Sequence, residues 1–135
     1  MSQTHEHLIQ LRWSDPDSYG HVNHARALSL LEDARLAMGA AAPGIAPGRL
    51  PDMILARLEV DYLRQLHYRM GERVCVRSSV TRVGTKSFTM RQELVQDAEV
   101  AIRLDAVIVL FDITTDSSRP MTDEERAYWN GFLAA

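Results

Sequence analysis

The stretch WSDPDSYGHVNHARALSLLEDARLAM, residues 13–38, joins two segments of opposite character. The first, Asp15-Pro16-Asp17-Ser18-Tyr19-Gly20, is turn material: Pro16 and Gly20 break regular structure, and Asp and Ser side chains bond nearby backbone. In the second, Ala27, Leu28, Leu30, Leu31, Ala34, Ala37, Met38 and Ala41 recur at three- and four-residue steps. Arg26, Ser29, Glu32, Asp33 and Arg35 fill the gaps. That spacing predicts a helix with a broad packing stripe over most of its circumference. It starts near residues 22–24, with Asn23 as the predicted N-cap. Gly39 and the APGIAPGR run, residues 42–49, are expected to end it. A carboxylate beside the start of a buried helix faces free backbone N–H groups and a positive dipole end, which is a chemical arrangement.

Upstream, residues 6–13 read as a strand, with Leu8, Gln10 and Arg12 on one face and Ile9, Leu11 and Trp13 on the other. Downstream come four extended segments. Ile54, Ala56, Leu58, Val60 and Tyr62 alternate with Leu55, Arg57, Glu59 and Asp61. Gly71-Glu72 turns the chain. Val74, Val76 and Val80 then alternate with Arg73, Arg77 and Ser79. Gly84-Thr85 reads as a hairpin. Phe88, Met90 and Leu94 oppose Arg91 and Glu93, and Asp97-Ala98 turns again. The last segment, residues 100–112, becomes apolar on both faces at residues 107–111, as a central strand does. A final helix opens at Thr122 and Glu125, which have capping-box spacing, and carries Tyr128, Trp129, Phe132 and Leu133. The expected architecture is α+β, an antiparallel sheet wrapped around one long central helix, in a single domain spanning 1–135.

Composition narrows the function. The chain is 46% hydrophobic and 24% charged, ordinary for a globular protein. A net charge of −3 gives no global basic field for nucleic acid, so an anionic ligand must meet a local cluster of cations. The one cysteine, Cys75, excludes an internal disulfide and a Cys-rich zinc site. No apolar run reaches the length of a membrane span, and the polar N-terminal segment lacks a signal-peptide core. A cytoplasmic protein with no membrane and no nucleic-acid partner is the expectation.

Three chemistries compete for residues 15–23. Asp15, Asp17 and Gly20 match positions 1, 3 and 6 of a calcium loop, but Arg26 stands where a bidentate Glu is required. His21 and His24 could share a metal, yet His5, His7 and His67 are scattered, so no metal is expected. Third, a carboxylate beside a helix N-terminus can act as base or nucleophile while backbone N–H groups receive charge on a carbonyl oxygen. On the residues alone, that reading stands level with a plainer one, in which Asp15 and Asp17 shape the turn and cap the helix.

Asp15-x-Asp17-x-x-Gly20-His21-Val22-Asn23, followed by a helix carrying Glu32-x-Ala34-Arg35, resembles the hotdog-fold acyl-CoA thioesterases of the 4-hydroxybenzoyl-CoA thioesterase type. Leu58-Glu59-Val60-Asp61-Tyr62-Leu63, Gly71-Glu72 and Gly84-Thr85-Lys86-Ser87-Phe88 resemble that family's later strands and hairpin at fitting separations. The likeness covers residues 6–120. It implies a hotdog fold and hydrolysis of an acyl-CoA thioester without a cofactor. It further implies a homodimer or homotetramer whose sheets join edge to edge and whose sites lie at the subunit interface.

By the same resemblance Asp17 is the catalytic carboxylate, attacking the thioester carbon or activating water. Gly20 shapes the motif, and the N–H of His24 polarises the carbonyl oxygen. Tyr19, His21, Val22, Asn23, Ala27 and Tyr62 would contact substrate. Lys86, with Ser87 beside it in the hairpin, would meet the CoA end, and Arg82 and Arg64 are weaker candidates for it. Ala27 stands where the family usually has an aromatic residue, which implies an acyl pocket of different size or polarity. Gln65 stands where a proline is common, with His67 in the same loop. A non-catalytic acyl-CoA or acyl-carrier-protein binder is the alternative, because a fold does not give an activity. A hydratase would pair His24 with Glu32 or Asp33, which lie two turns or more along the helix.

Overall fold

Helix α1 runs His24–Ala40, and its start follows the expected chemistry: Asn23 Oδ1 accepts the N–H of Ala25 at 2.9 Å. The computed structural model describes residues 3–134; Met1, Ser2 and Ala135, the ends of the expected domain, lie outside the described residues. Around α1 are strands β1 (His5–Gln10), β2 (Met53–Tyr62), β3 (Arg73–Val83), β4 (Ser87–Gln96), β5 (Glu99–Asp112) and β6 (Ser117–Ser118). A second helix, α2, spans Asp123–Asn130. The sheet order is β1-β3-β4-β5-β2, every neighbour antiparallel, with β6 paired to the end of β5. This is the α+β hotdog architecture. β5 is interior, as its two apolar faces require.

The period-two pattern places the core. Val74, Val76 and Val80 on β3, Phe88, Met90 and Leu94 on β4, and Ile102, Leu104, Ala106 and Ile108 on β5 are buried. Against them lie Ala27, Leu30, Leu31, Ala34 and Met38 of α1. Between Ala27 and Gly39 only Ser29, Glu32 and Asp33 are exposed, on one stripe, so most of the circumference of α1 is covered there as expected.

Several details differ from expectation. β1 stops at Gln10, and Trp13, expected to continue the strand on the face of Ile9 and Leu11, is 83% exposed. The cause is Asp15: its fully buried carboxylate accepts the backbone N–H of Arg12 at 2.8 Å and pairs with the Arg12 guanidinium at 2.9 Å, turning the chain early. Gly39 lies inside α1 rather than past its end. It is a packing glycine, since a Cβ there would sit 2.6 Å from Met53 Cε and 2.7 Å from Pro51 Cγ. Bulges at residue 56 of β2 and residue 81 of β3 shift the alternation by one. The final helix ends at Asn130, so Phe132 and Leu133 pack from the segment after it.

The inner face also holds a polar network the alternation alone did not announce. Arg35, a gap residue by pattern, is 6% exposed and donates to Gln92 Oε1 at 2.9 Å. Gln92 Nε2 donates to Leu31 O and to Ser78 Oγ, both at 3.1 Å. Burial lowers the Arg35 pKa, and Glu32 partly opposes that shift. On the outer face, Arg77, Glu93 and Arg103 stand in one row across three strands, and Arg91 pairs with Asp105 beside them. The face of the sheet away from α1 is thereby polar, with its cations and carboxylates paired across strands.

Candidate active site

The motif turn is an anchored structure with one loose end. Asn23 N donates to Asp15 O at 3.0 Å, Val22 N to Leu66 O at 2.6 Å, and Tyr68 N to Gly20 O at 3.0 Å. Gly20 adopts φ +77°, a conformation that disfavours a side chain. The two aspartates divide the work that the residues alone left undivided. Asp15 is buried and saturated by Arg12. Asp17 is exposed, and its Oδ1 accepts the N–H groups of Tyr19 at 2.9 Å and His21 at 3.2 Å. Its Oδ2 has no partner among the described residues.

A cleft of about 430 Å³ opens beside this turn. Asp17, Val22, Asn23, His24, Ala27 and Tyr62 line it together, so six of the expected site residues converge from the turn, the start of α1 and the end of β2. Leu63, Arg64, Gln65, Leu66 and Ile102 complete the wall. His24 is the first residue of α1, and its backbone N–H has no acceptor among the described residues, as expected for a first-turn donor. The His24 and Tyr62 rings meet edge to face at 6.1 Å. Burial raises the Tyr62 pKa, so its hydroxyl stays protonated. A carboxylate, an unpaired helix N-terminal donor and an apolar floor at Ala27 thus share one cavity.

The other expected residues lie elsewhere. Tyr19 is 81% exposed on the outside of the turn. His21 packs edge to face on His67, 5.1 Å between ring centres, across a bridge between the two loops. Arg82 lines a separate depression of about 420 Å³ on the outer sheet face, with Arg57 and Arg91. Lys86 and Ser87 sit at the β3–β4 hairpin, where Lys86 O accepts from Leu110 N. From the cleft end of the sheet to that hairpin β3 runs 11 residues, about 35 Å of strand. Within one chain these three residues do not join Asp17. Sequence spacing does not single out Ile102 or Leu66. Register could have found Ile102, which pairs with Tyr62 across β2 and β5.

Among the described residues no three His, Cys, Asp or Glu side chains are grouped to hold a metal, and no helix is long and apolar enough to cross a membrane.

With this fold and cleft, residues 11–129 match the Thioesterase-like superfamily, and the chain belongs to that superfamily. A predicted thioesterase from Bacillus stearothermophilus has a similar structure, with a TM-score of 0.85, 26% identity, and 98% of each chain covered. A thioesterase from Thermus thermophilus, solved with coenzyme A and zinc, gives a TM-score of 0.78 at 27% identity over 94% of this chain and 92% of that one. The uncharacterised protein YsmA of Bacillus subtilis (strain 168) is 24% identical over 120 residues, 87% of this chain and 80% of its own length.

Proposed function

We propose that this protein hydrolyses an acyl-CoA thioester to the free acid and CoA, with Asp17 as the catalytic carboxylate. The observation that carries this is the pairing, in one cleft, of the exposed Asp17 carboxylate with the unpartnered N–H of His24. As the carbonyl carbon becomes tetrahedral, its oxygen gains negative charge. A fixed N–H at the positive end of α1 stabilises that charge without reorganising. Asp17 either bonds to the carbon directly, giving an anhydride that water opens, or takes a proton from the attacking water. In both routes the C–S bond breaks and CoA leaves as thiolate, which then takes up a proton. Membership of the superfamily and the CoA-bound Thermus relative support the substrate class.

The site is built between two copies of the chain in this proposal. β2 is an edge strand, and its Ile54 and Leu55 are 44% and 41% exposed. Pairing two β2 strands antiparallel across a two-fold axis lays the hairpin end of one sheet beside the cleft end of the other. Lys86 and Ser87 of one chain then come to the cleft end of its partner, along the path by which the pantetheine arm leaves the site, where CoA phosphates need a cation.

A thiol-release assay over a series of acyl-CoA thioesters tests the reading with Asp17→Asn. The amide oxygen can still accept from Tyr19 and His21, so the turn is kept. Turnover is expected to fall by about 10²–10⁴-fold, the usual contribution of a positioned acid or base. Wild-type turnover in Asp17→Asn would remove Asp17 from the chemistry. Binding without release on every thioester would mark a non-catalytic acyl-CoA binder instead.

A further inference from the structure

The cleft carries more hydrogen-bond donors than a plain hydrocarbon chain can use. Asn23 commits its side-chain oxygen to the helix cap, leaving Nδ2 as a donor. The Tyr62 hydroxyl has no partner among the described residues and stays protonated. Arg64 has donors only. Its Nε is held 2.9 Å from Glu99 Oε2, while its two Nη groups have no acceptor among the described residues. This ion pair, between two side chains that are each more than half exposed, leaves free the Nη edge, which can donate two N–H groups to one oxygen or to a pair of oxygens. The backbone beneath is fixed: Leu63 N and Arg64 N both donate to Ala101 O, at 2.9 and 3.1 Å. Opposite these donors the floor is small, since Ala27 offers a single methyl group.

We infer that the acyl group selected by this cleft carries an acceptor oxygen beyond the thioester, and that Arg64 is the residue that recognises it. This rests on the acyl-CoA reading of the same cleft. Arg64 shares the cavity with Asp17, which must reach the thioester carbon. The phosphates of CoA are a whole pantetheine arm away from that carbon, so a cation here meets the acyl end. The oxygen is a carboxylate, keto or hydroxyl oxygen; each satisfies the same donors.

The test uses non-hydrolysable thioether analogues of acyl-CoA of one chain length, ending in methyl, hydroxyl, methyl ketone or carboxylate. Their binding to the full chain is measured by calorimetry for wild type, Arg64→Gln and Arg64→Lys. The Arg64 side chain is 59% exposed, so neither variant threatens the fold. At least one oxygenated analogue is expected to bind wild type ten-fold or more tightly than the methyl analogue. Arg64→Gln is expected to erase that ratio by weakening only the oxygenated analogue. Arg64→Lys is expected to keep part of the ratio. A methyl analogue that binds as tightly as every oxygenated one overturns the inference. So does an equal loss for all analogues in Arg64→Gln, which would place Arg64 on the CoA portion. Binding is read without turnover, so a protein that shows the selectivity but releases no CoA would refute hydrolysis and leave this inference standing.

Discussion

Compared with alanine at the same position, replacing His24 by proline removes one backbone hydrogen from the cleft and almost nothing else. Proline is well tolerated at the first position of a helix, where its N–H would be unpaired in any case and its fixed φ suits the start. The residue before a proline must be extended, and Asn23 already has ψ 139°. No hydrogen bond within the described residues uses the His24 N–H, so α1 loses no pairing. If that N–H receives the oxyanion, its loss is expected to lower kcat by about 10²–10³-fold, or about 2.7–4 kcal/mol of transition-state stabilisation. His24→Ala is the control, because it keeps the N–H and removes the imidazole and its edge contact with Tyr62. Thiol release gives kcat and KM for both variants, and circular dichroism with urea unfolding confirms the fold. An H24P enzyme within a few-fold of H24A in kcat would refute the assignment of the oxyanion to this donor.

The buried network offers a separate check. Gln92→Leu takes from the buried Arg35 guanidinium its hydrogen-bond acceptor, which costs about 1–3 kcal/mol or more because the stranded group is charged. Arg35→Met leaves Gln92 Oε1 unpaired at about 1–3 kcal/mol. The double variant is expected to be more stable than the sum by at least about 1 kcal/mol, read from urea midpoints, and strict additivity would show that the two groups do not depend on each other. Acid should act through Glu125, whose carboxyl is held below its ordinary value chiefly by Arg119 and also by the Thr122 N–H. Its stabilising contribution is present above the ordinary carboxylate pKa and lost as pH falls through the lower folded-state value. Glu125→Gln is therefore expected to lower stability at neutral pH and flatten its acid limb in urea titrations between pH 3 and 7, whereas an unchanged acid limb would contradict the role.

Much of the fold is legible because several levels of the sequence agree. Asn23 caps α1, Thr122 and Glu125 form the reciprocal capping box, and Asp97-Ala98 adopts the positive φ values of a tight hairpin. What escaped is physical in origin. Gln92 and Ser78 share the parity of Met90 and Val76, yet a polar side chain at an inward position reads as outward until its partners are known. Arg35 is four residues from Leu31 and three from Met38, so helical spacing put it on the buried face despite its charge. Gly39 read as a stop signal because glycine has two uses, conformational freedom and close approach, and here the second applies. The bulges at residues 56 and 81 cannot be counted from alternation, and the second puts Arg82 on the outer face opposite Thr89.

The candidate site was legible where its residues are local and obscure where they are not. Asp17, Val22, Asn23, His24 and Ala27 fall within eleven consecutive residues, and their convergence needs only a turn followed by a helix. Lys86 and Ser87 stand a strand length away, and in the proposed dimer it is a second copy of the chain that brings them back. Under the proposed mechanism the turn gives its two aspartates different tasks. A carboxylate that anchors the chain must be buried and saturated, as Asp15 is by Arg12. A carboxylate that reacts must keep a free oxygen on the same rigid backbone, as Asp17 does. One residue cannot meet both demands, because saturating the anchor's oxygens with hydrogen bonds would leave none for a thioester or a water. The Asp-Pro-Asp spacing sets the two on either side of Pro16, beside the short Pro16–Val22 bridge, so the anchor fixes the backbone from which the Asp17 carboxylate extends into the cleft.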